Sequence, residues 1–121
     1  MKTVAKLAKT HFPRWLARGR IRARQRTGRC YELSLKTLQR LADSGVADGV
    51  SLVHGTALLA WSRTGHAWLE HEGEGEVYDA VFDTVMSVAE YVAEYGVIIE
   101  RRYTIREACK LMVAQSHWGP W

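Results

Sequence analysis

Three side chains whose types suit nucleophilic catalysis are spread through the middle of this sequence: Cys30, His66 and Asp79. A cysteine thiolate can attack a carbonyl carbon, and an imidazole can accept and return the proton. A carboxylate can orient that imidazole and stabilise its charged form. Because these roles require contact, the elements around the three residues must bring them together.

Cys30 lies where a glycine-containing loop, Thr27-Gly28-Arg29, leads into a predicted helix over residues 31–42. A helix N-terminus carries partial positive charge and free N–H groups, which stabilise a thiolate and can hold an oxyanion. Arg29 adds positive charge beside the thiol. Cys109 is instead predicted in the middle of a helix, where a cysteine normally behaves as a small buried hydrophobe. Cys30 is therefore the predicted nucleophile.

His66 and Asp79 are predicted on neighbouring strands, residues 66–71 and 76–80. A turn over residues 72–75 makes His66 the diagonal neighbour of Asp79, whereas a tighter turn places them directly opposite. In both registers the two side chains share a face, with Cβ atoms within about 5–8 Å. Asp79 can therefore accept a hydrogen bond from the imidazole. The alternative role for Asp79 is to cap the helix that follows.

His54 is the rival base. It belongs to a predicted strand over residues 49–61, followed by a turn over residues 62–65. With that turn, Trp61 pairs with His66, so His66 shares a face with the odd-numbered residues of the strand. His54 then points to the opposite face, and we expect its role to be structural.

The remaining elements complete an α+β fold. A long helix is predicted over about residues 83–95 and ends at Gly96, and a strand follows in VIIERRY. The pattern Thr104-x-x-Glu107 is a capping box that opens a last helix. The order is helix, three-strand meander, helix, strand, helix. This order predicts one α+β domain with a mainly antiparallel sheet.

Charge is distributed unevenly along the 121 residues, which carry a net +4. Residues 1–31 hold ten Lys or Arg and no acid, and the other 90 hold seven basic and thirteen acidic residues, a net −6. We therefore predict a basic arm, residues 1–26, attached to a domain over residues 27–121. The cations of residues 1–29 suit a polyanion such as nucleic acid, an acidic partner or an anionic membrane surface. The alternative is a flexible solvated arm, or one loosely docked across the acidic domain.

Several classes of protein are not expected. Two cysteines without a CxxC pair suit a reducing, cytoplasmic location. No apolar run approaches the roughly 20 residues of a membrane helix, and no signal-peptide region is recognisable at the N-terminus. Phosphate-loop and zinc-ligand spacings are missing, so no cofactor or metal is expected.

We interpret the alternating acidic residues as a solvated hairpin tip: Glu70, Glu72, Glu74 and Glu76.

The order of these features resembles the transglutaminase-like branch of the papain-like cysteine hydrolases. In both, a cysteine begins a helix, HAWLE lies on a strand and an aspartate lies on the next strand. Within this branch, the local sequence of these motifs is most similar to that of the lasso-peptide leader peptidases. The resemblance covers about residues 27–82, and the closing HWGPW is similar to small phage and bacterial proteins. It implies a papain-like fold with Cys30 as nucleophile, His66 as general base and Asp79 as the residue that orients the base. The family's side-chain oxyanion donor has no clear equivalent, Gln25 being a weak candidate.

The expected function is therefore a cysteine peptidase, amidase or acyltransferase that acts on a peptide or amide bond. The triad does not distinguish proteolysis, deamidation and transglutamination, because these differ in the acceptor and the cleft. The alternative from a different class is a non-catalytic protein that binds nucleic acid or protein through its basic arm, with a vestigial triad.

Overall fold

The computed structural model describes residues 12–13 and 28–121, which contain three helices and one five-stranded antiparallel sheet. The strand order across the sheet is β4-β3-β2-β1-β5. The predicted α+β class with an antiparallel sheet is confirmed for this part of the chain. In chain order the elements are α1 (Cys30–Asp43), β1 (Val50–Leu59), β2 (Ser62–His71), β3 (Glu76–Asp79), β4 (Thr84–Ser87), α2 (Val88–Tyr95), β5 (Ile98–Tyr103) and α3 (Ile105–Gln115).

The core lies on both faces of the sheet. On one face, Leu52 and Leu69 pack in a cluster with the buried leucines of α1 and with Ala108 of α3. On the other, Val53 and Trp68 pack in a second cluster with Tyr91 of α2. This division follows from the sequence, because adjacent residues of a strand point to opposite faces. The side chain of His66, two residues before Trp68, therefore belongs to the face that α2 covers.

The turn between β1 and β2 is not the one predicted. Ser62 pairs with Leu59, so the loop consists of Ala60 and Trp61 rather than residues 62–65. Both loop residues have positive φ, 51° and 70°, as in a type I′ hairpin turn. The sequence pattern missed this turn because Ala-Trp lacks the Asn-Gly signal that such turns usually carry.

The predicted helix over residues 83–95 is only partly helical. Residues Thr84–Ser87 form the edge strand β4, paired with β3, and α2 begins at Val88. The reason is the capping box at Ser87, whose hydroxyl accepts from the N–H of Glu90 while the Glu90 carboxylate accepts from the N–H of Ser87. The predicted end of this helix at Gly96 is confirmed, with a left-handed φ of 56°.

The acidic hairpin is more buried than expected. Glu70 and Glu76 are 4% and 7% exposed, so the prediction of a solvated tip is wrong for these two residues. Glu70 is paired with Arg102 of β5 at 2.9 Å, a partner that lies far away in the sequence. Among the described residues, no group of three or more His, Cys, Asp or Glu side chains is arranged to hold a metal ion.

The predicted arm and its partners fall almost entirely outside the described residues, as does Gln25, and they stay predictions. The described part of the arm is Phe12 and Pro13. Phe12 is 2% exposed and belongs to the core, with its ring centroid 6.3 Å from that of His71 and 6.2 Å from that of Tyr78. At least one side chain of residues 1–26 therefore packs into the domain. Within residues 28–121, none of the helices combines the length and apolarity needed to cross a lipid bilayer.

Replacing Phe12 by alanine should lower the free energy of unfolding by about 3–5 kcal/mol, because removal of a buried phenyl ring leaves a cavity. Chemical denaturation measures this loss. The control is Val113→Ala on α3, where the side chain is 73% exposed, and we expect a change below about 0.5 kcal/mol. Equal, small losses for the two variants would contradict the packing of Phe12.

Candidate active site

Cys30 is the first residue of α1 and is 8% exposed. Gly28, two residues earlier, has a left-handed φ of 78° in the loop that leads into the helix. Arg29 occupies the N-cap position, but its side chain makes no capping hydrogen bond. Its guanidinium is paired with Glu32 at 3.0 Å, so the charge of Arg29 is shared with a carboxylate. The helix N-terminus therefore contributes positive potential at the thiol, while the charge of Arg29 is partly neutralised.

His66 and Asp79 form a buried pair. The distance from His66 Nε2 to Asp79 Oδ2 is 2.7 Å, and the two side chains are 3% and 0% exposed. Leu69 lies opposite Tyr78 in the β2–β3 pairing, so the hairpin has the longer of the two predicted turns. His66 is therefore the diagonal neighbour of Asp79, and the tighter turn does not occur.

The carboxylate of Asp79 accepts hydrogen bonds on both oxygens. Oδ1 accepts from the backbone N–H groups of Val81 and Phe82 at 2.9 and 3.0 Å. Oδ2 accepts from Tyr91 Oη at 2.5 Å as well as from His66. This set of donors suits an ionised carboxylate. Asp79 thus binds the turn that follows β3, and it is Ser87 rather than Asp79 that caps the next helix.

Tyr91 is a residue of this site that the sequence did not reveal. It is 1% exposed, and burial together with the neighbouring charge of Asp79 raises the pKa of its hydroxyl. Tyr91 therefore remains a neutral donor to the same oxygen that His66 binds. Trp68 packs beside both rings, with centroids 6.0 Å from His66 and 5.3 Å from Tyr91. The sequence predicted only that residue 91 belongs to a helix, and nothing in it indicated where the hydroxyl points.

The imidazole of His66 links Asp79 to the thiol. Burial by itself lowers the pKa of His66, but hydrogen bonds to Asp79 and Cys30 and the charges of the same two groups raise it to about 9. Because Nε2 binds Asp79, Nδ1 is the ring nitrogen left for the thiol. Cys30 thus lies within interaction range of a histidine that is itself hydrogen-bonded to Asp79.

The variant Asp79→Asn should lower the pKa of His66 from about 9 toward its ordinary value of about 6.5. The amide keeps the shape of the carboxylate but removes its charge, so burial is opposed only by the interaction with Cys30. An NMR titration of the imidazole measures this change. The control is Asp83→Asn, because Asp83 accepts from Tyr78 at 2.7 Å and should leave the titration of His66 unchanged. An unshifted His66 in Asp79→Asn would show that another group determines its protonation.

The side chain of His54 lies on the opposite face of the sheet from that of His66. Its neighbour Gly55 pairs with His66, so the side chains of residues 54 and 66 point in opposite directions. The imidazole is 4% exposed and contacts aromatic rings, with centroids 4.8 Å from Tyr31 and 5.2 Å from Trp121. Burial lowers the pKa of His54 to about 4, and it is therefore neutral near pH 7. This environment is that of a core histidine.

Cys109 also lies away from the site. It is half-buried on α3, packs against the first core cluster and accepts a long hydrogen bond, 3.6 Å, from Gln39 of α1. A thiol in this position lacks the field of a helix N-terminus. Of the two cysteines, Cys30 is the one in contact with a histidine–carboxylate pair.

A cleft of about 660 Å³ opens beside the thiol, and both Cys30 and His66 line it. Its other walls come from the β1–β2 hairpin, from the segment that follows β3 and from the end of α2. Gly65 allows α1 to approach this hairpin, since a Cβ at that position would lie 2.7 Å from the Tyr31 hydroxyl. The apolar residues of the lining are Leu58, Leu59, Ala60, Val81, Phe82 and Tyr95.

The structure thus brings together the three side chains that the sequence singled out, from α1, β2 and β3, and it adds Tyr91 to them. A thiol, an imidazole and a carboxylate in this order can perform nucleophilic acyl chemistry on a carbonyl group that enters the cleft. A scan against protein-family models, a search of curated proteins and a search of solved structures each found no match to this chain.

Proposed function

We propose that this protein is a cysteine-nucleophile hydrolase or acyltransferase that acts on a peptide or amide bond. The observation that carries the proposal is the buried, hydrogen-bonded pair of His66 and Asp79 beside the thiol of Cys30. This thiol lies at a helix N-terminus and lines a cleft together with His66. A histidine and an aspartate that served only to stabilise the fold would not require a cysteine at that position.

In the reaction, His66 already holds the proton of the Cys30 thiol as an imidazolium, and the thiolate attacks the carbonyl carbon of the amide. The negative oxygen of the tetrahedral intermediate accepts hydrogen bonds from the first N–H groups of α1. His66 then donates its proton to the leaving amine, which leaves a thioester on Cys30. Water or an amine attacks the thioester, giving up a proton to His66, and the pair of thiolate and imidazolium is restored. Asp79 orients the imidazole and stabilises its charged form throughout.

We propose further that the fold is of the papain-like, transglutaminase-like type. The support is the arrangement of the elements: a helix that begins with the cysteine packs chiefly against β2, and the histidine and aspartate follow on neighbouring antiparallel strands. The order Cys, His, Asp along the chain is also that of the resemblance in the sequence.

A pH profile tests the role of His66. Because the pKa of His66 is raised to about 9, its ring stays protonated up to about that pH. The protonated ring is the acid that donates to the leaving amine. The value of kcat/KM on an activated amide should therefore fall as the pH rises through about 9. In Asp79→Asn, this alkaline limb should move to lower pH, because the imidazolium has lost its counter-charge. Cys109→Ser is the control and should reproduce the parent profile. A rate that keeps rising at higher pH would contradict the assignment of His66 as the acid.

A further inference from the structure

We propose that the cleft selects peptides with a bulky apolar side chain next to the scissile amide and a positive charge within reach of Glu94. This inference rests on the proposed function, since it names the substrate of the same site. Its starting point is that Cys30 and His66 share their cleft with a wall of apolar side chains and with one carboxylate, Glu94.

The apolar wall begins beside the imidazole. The ring centroid of Phe82 is 5.9 Å from that of His66, and Phe82 stacks on Tyr95 at 4.7 Å with an angle of 9° between the ring planes. Two parallel aromatic rings present a flat apolar surface to whatever enters the cleft. A volume of about 660 Å³ is sufficient for several residues of a peptide, since ligand pockets of roughly 300–1,000 Å³ hold drug-sized molecules.

The β1–β2 hairpin extends this apolar surface to the rim. Leu58 lines the cleft and is 50% exposed, and Trp61 at the tip is fully exposed. Ala60 and Trp61 both have positive φ, a backbone conformation that residues other than glycine rarely adopt. Large exposed apolar groups around a cleft are typical of recognition surfaces. We infer that the hairpin tip contacts the substrate.

The hairpin is held in position by Arg63. Its Nη1 donates to Thr56 Oγ1 at 2.8 Å, and its Nη2 donates to the carbonyl oxygen of Gly96 at 3.0 Å. These bonds tie β2 to the end of α2, which is the opposite wall of the cleft. The wall is thus ordered before the substrate arrives, which reduces the entropy cost of binding.

Charge defines the second part of the proposed substrate. Glu94 is exposed and lines the cleft. The one Lys or Arg residue of the β1–β2 hairpin, Arg63, already donates to Thr56 and Gly96. A lysine, arginine or free amine in the substrate is therefore favoured over an acidic residue.

The test compares tetrapeptide amides that carry a fluorescent leaving group and either Phe, Leu, Ala or Asp on the acyl side of the scissile bond. We expect kcat/KM to be about tenfold to a hundredfold higher for Phe and Leu than for Ala, the range that burial of an apolar side chain provides. Leu58→Asp should reduce the ratio of Phe to Ala to below about threefold. Val113→Asp, on the exposed surface of α3, is the matched control and should leave that ratio unchanged. At the peptide position next to the varied residue, the parent protein should prefer Lys over Glu. This preference should disappear in Glu94→Gln.

Two results separate this inference from the proposed function. Equal turnover of the four peptides would overturn the inference and leave the hydrolase proposal in place. Turnover of none of them would contradict the hydrolase proposal, and binding to the variant Cys30→Ala would then decide the inference by itself. By NMR titration of that variant with acetylated tetrapeptide amides, we expect the Phe peptide to bind about tenfold more tightly than the Ala peptide, and Leu58→Asp to remove the difference. Equal affinities would overturn the inference.

Discussion

Replacing Cys30 by alanine should reduce turnover of any amide or activated ester by about 10⁴-fold or more, since the covalent step loses its nucleophile. No other described cysteine can substitute, because Cys109 lies on α3 beside Gln39. The rate is measured under steady-state conditions on both classes of substrate. The matched control is Cys109→Ala, which removes the other thiol and should retain most of the parent rate.

The outcome for Cys30→Ala also tests the identity of the nucleophile. If this variant retained activity while Cys109→Ala lost it, the site would have to be sought on α3. If both retained activity, a covalent cysteine mechanism would be wrong.

Replacing His66 by alanine should cost nearly as much as the loss of Cys30, because residues that act as one unit lose most of their effect with the first deletion. For the same reason, the double variant Cys30→Ala/His66→Ala should be no slower than either single variant. Turnover and the free energy of unfolding are measured on the same preparations, so that loss of folded protein is separated from loss of chemistry.

The matched control for His66 is His54→Ala, which removes a buried imidazole from the other face of the sheet. His54 packs among the rings of Tyr31, Tyr103 and Trp121, so this change should lower the free energy of unfolding. Its turnover per folded molecule should fall by less than about tenfold. If His54→Ala silenced the enzyme while His66→Ala did not, the base would lie on the other face.

The site could be predicted from the sequence to the extent that it depends on local rules. The start of α1 at Cys30 follows a glycine-containing loop, and the shared face of His66 and Asp79 follows from the two-residue period of a strand. That period also explains why the position of His54 was predicted although the β1–β2 turn was not. The observed pairing differs from the predicted one by an even number of residues, which leaves every side chain on the same face.

The features that the sequence did not reveal depend on partners far away in the chain. Glu70 is buried because Arg102 reaches it from β5, and Tyr91 joins the site because α2 places its hydroxyl at Asp79. The strand β4 exists because β3 offers an edge to pair with, whereas the local pattern favoured a helix. The cleft has the same origin, since three separate segments form its walls.

The central claim, that Cys30 is an activated nucleophile, is tested most directly by alkylation of both cysteines in one sample. The protein is treated with iodoacetamide near neutral pH, and mass spectrometry follows the modification of Cys30 and Cys109 over time. Accessibility alone favours Cys109, which is half-buried, over Cys30, which is 8% exposed. The account predicts the opposite order, with Cys30 modified about tenfold faster or more and with that advantage lost in His66→Ala. Modification of Cys109 at an equal or greater rate in the parent protein would contradict it.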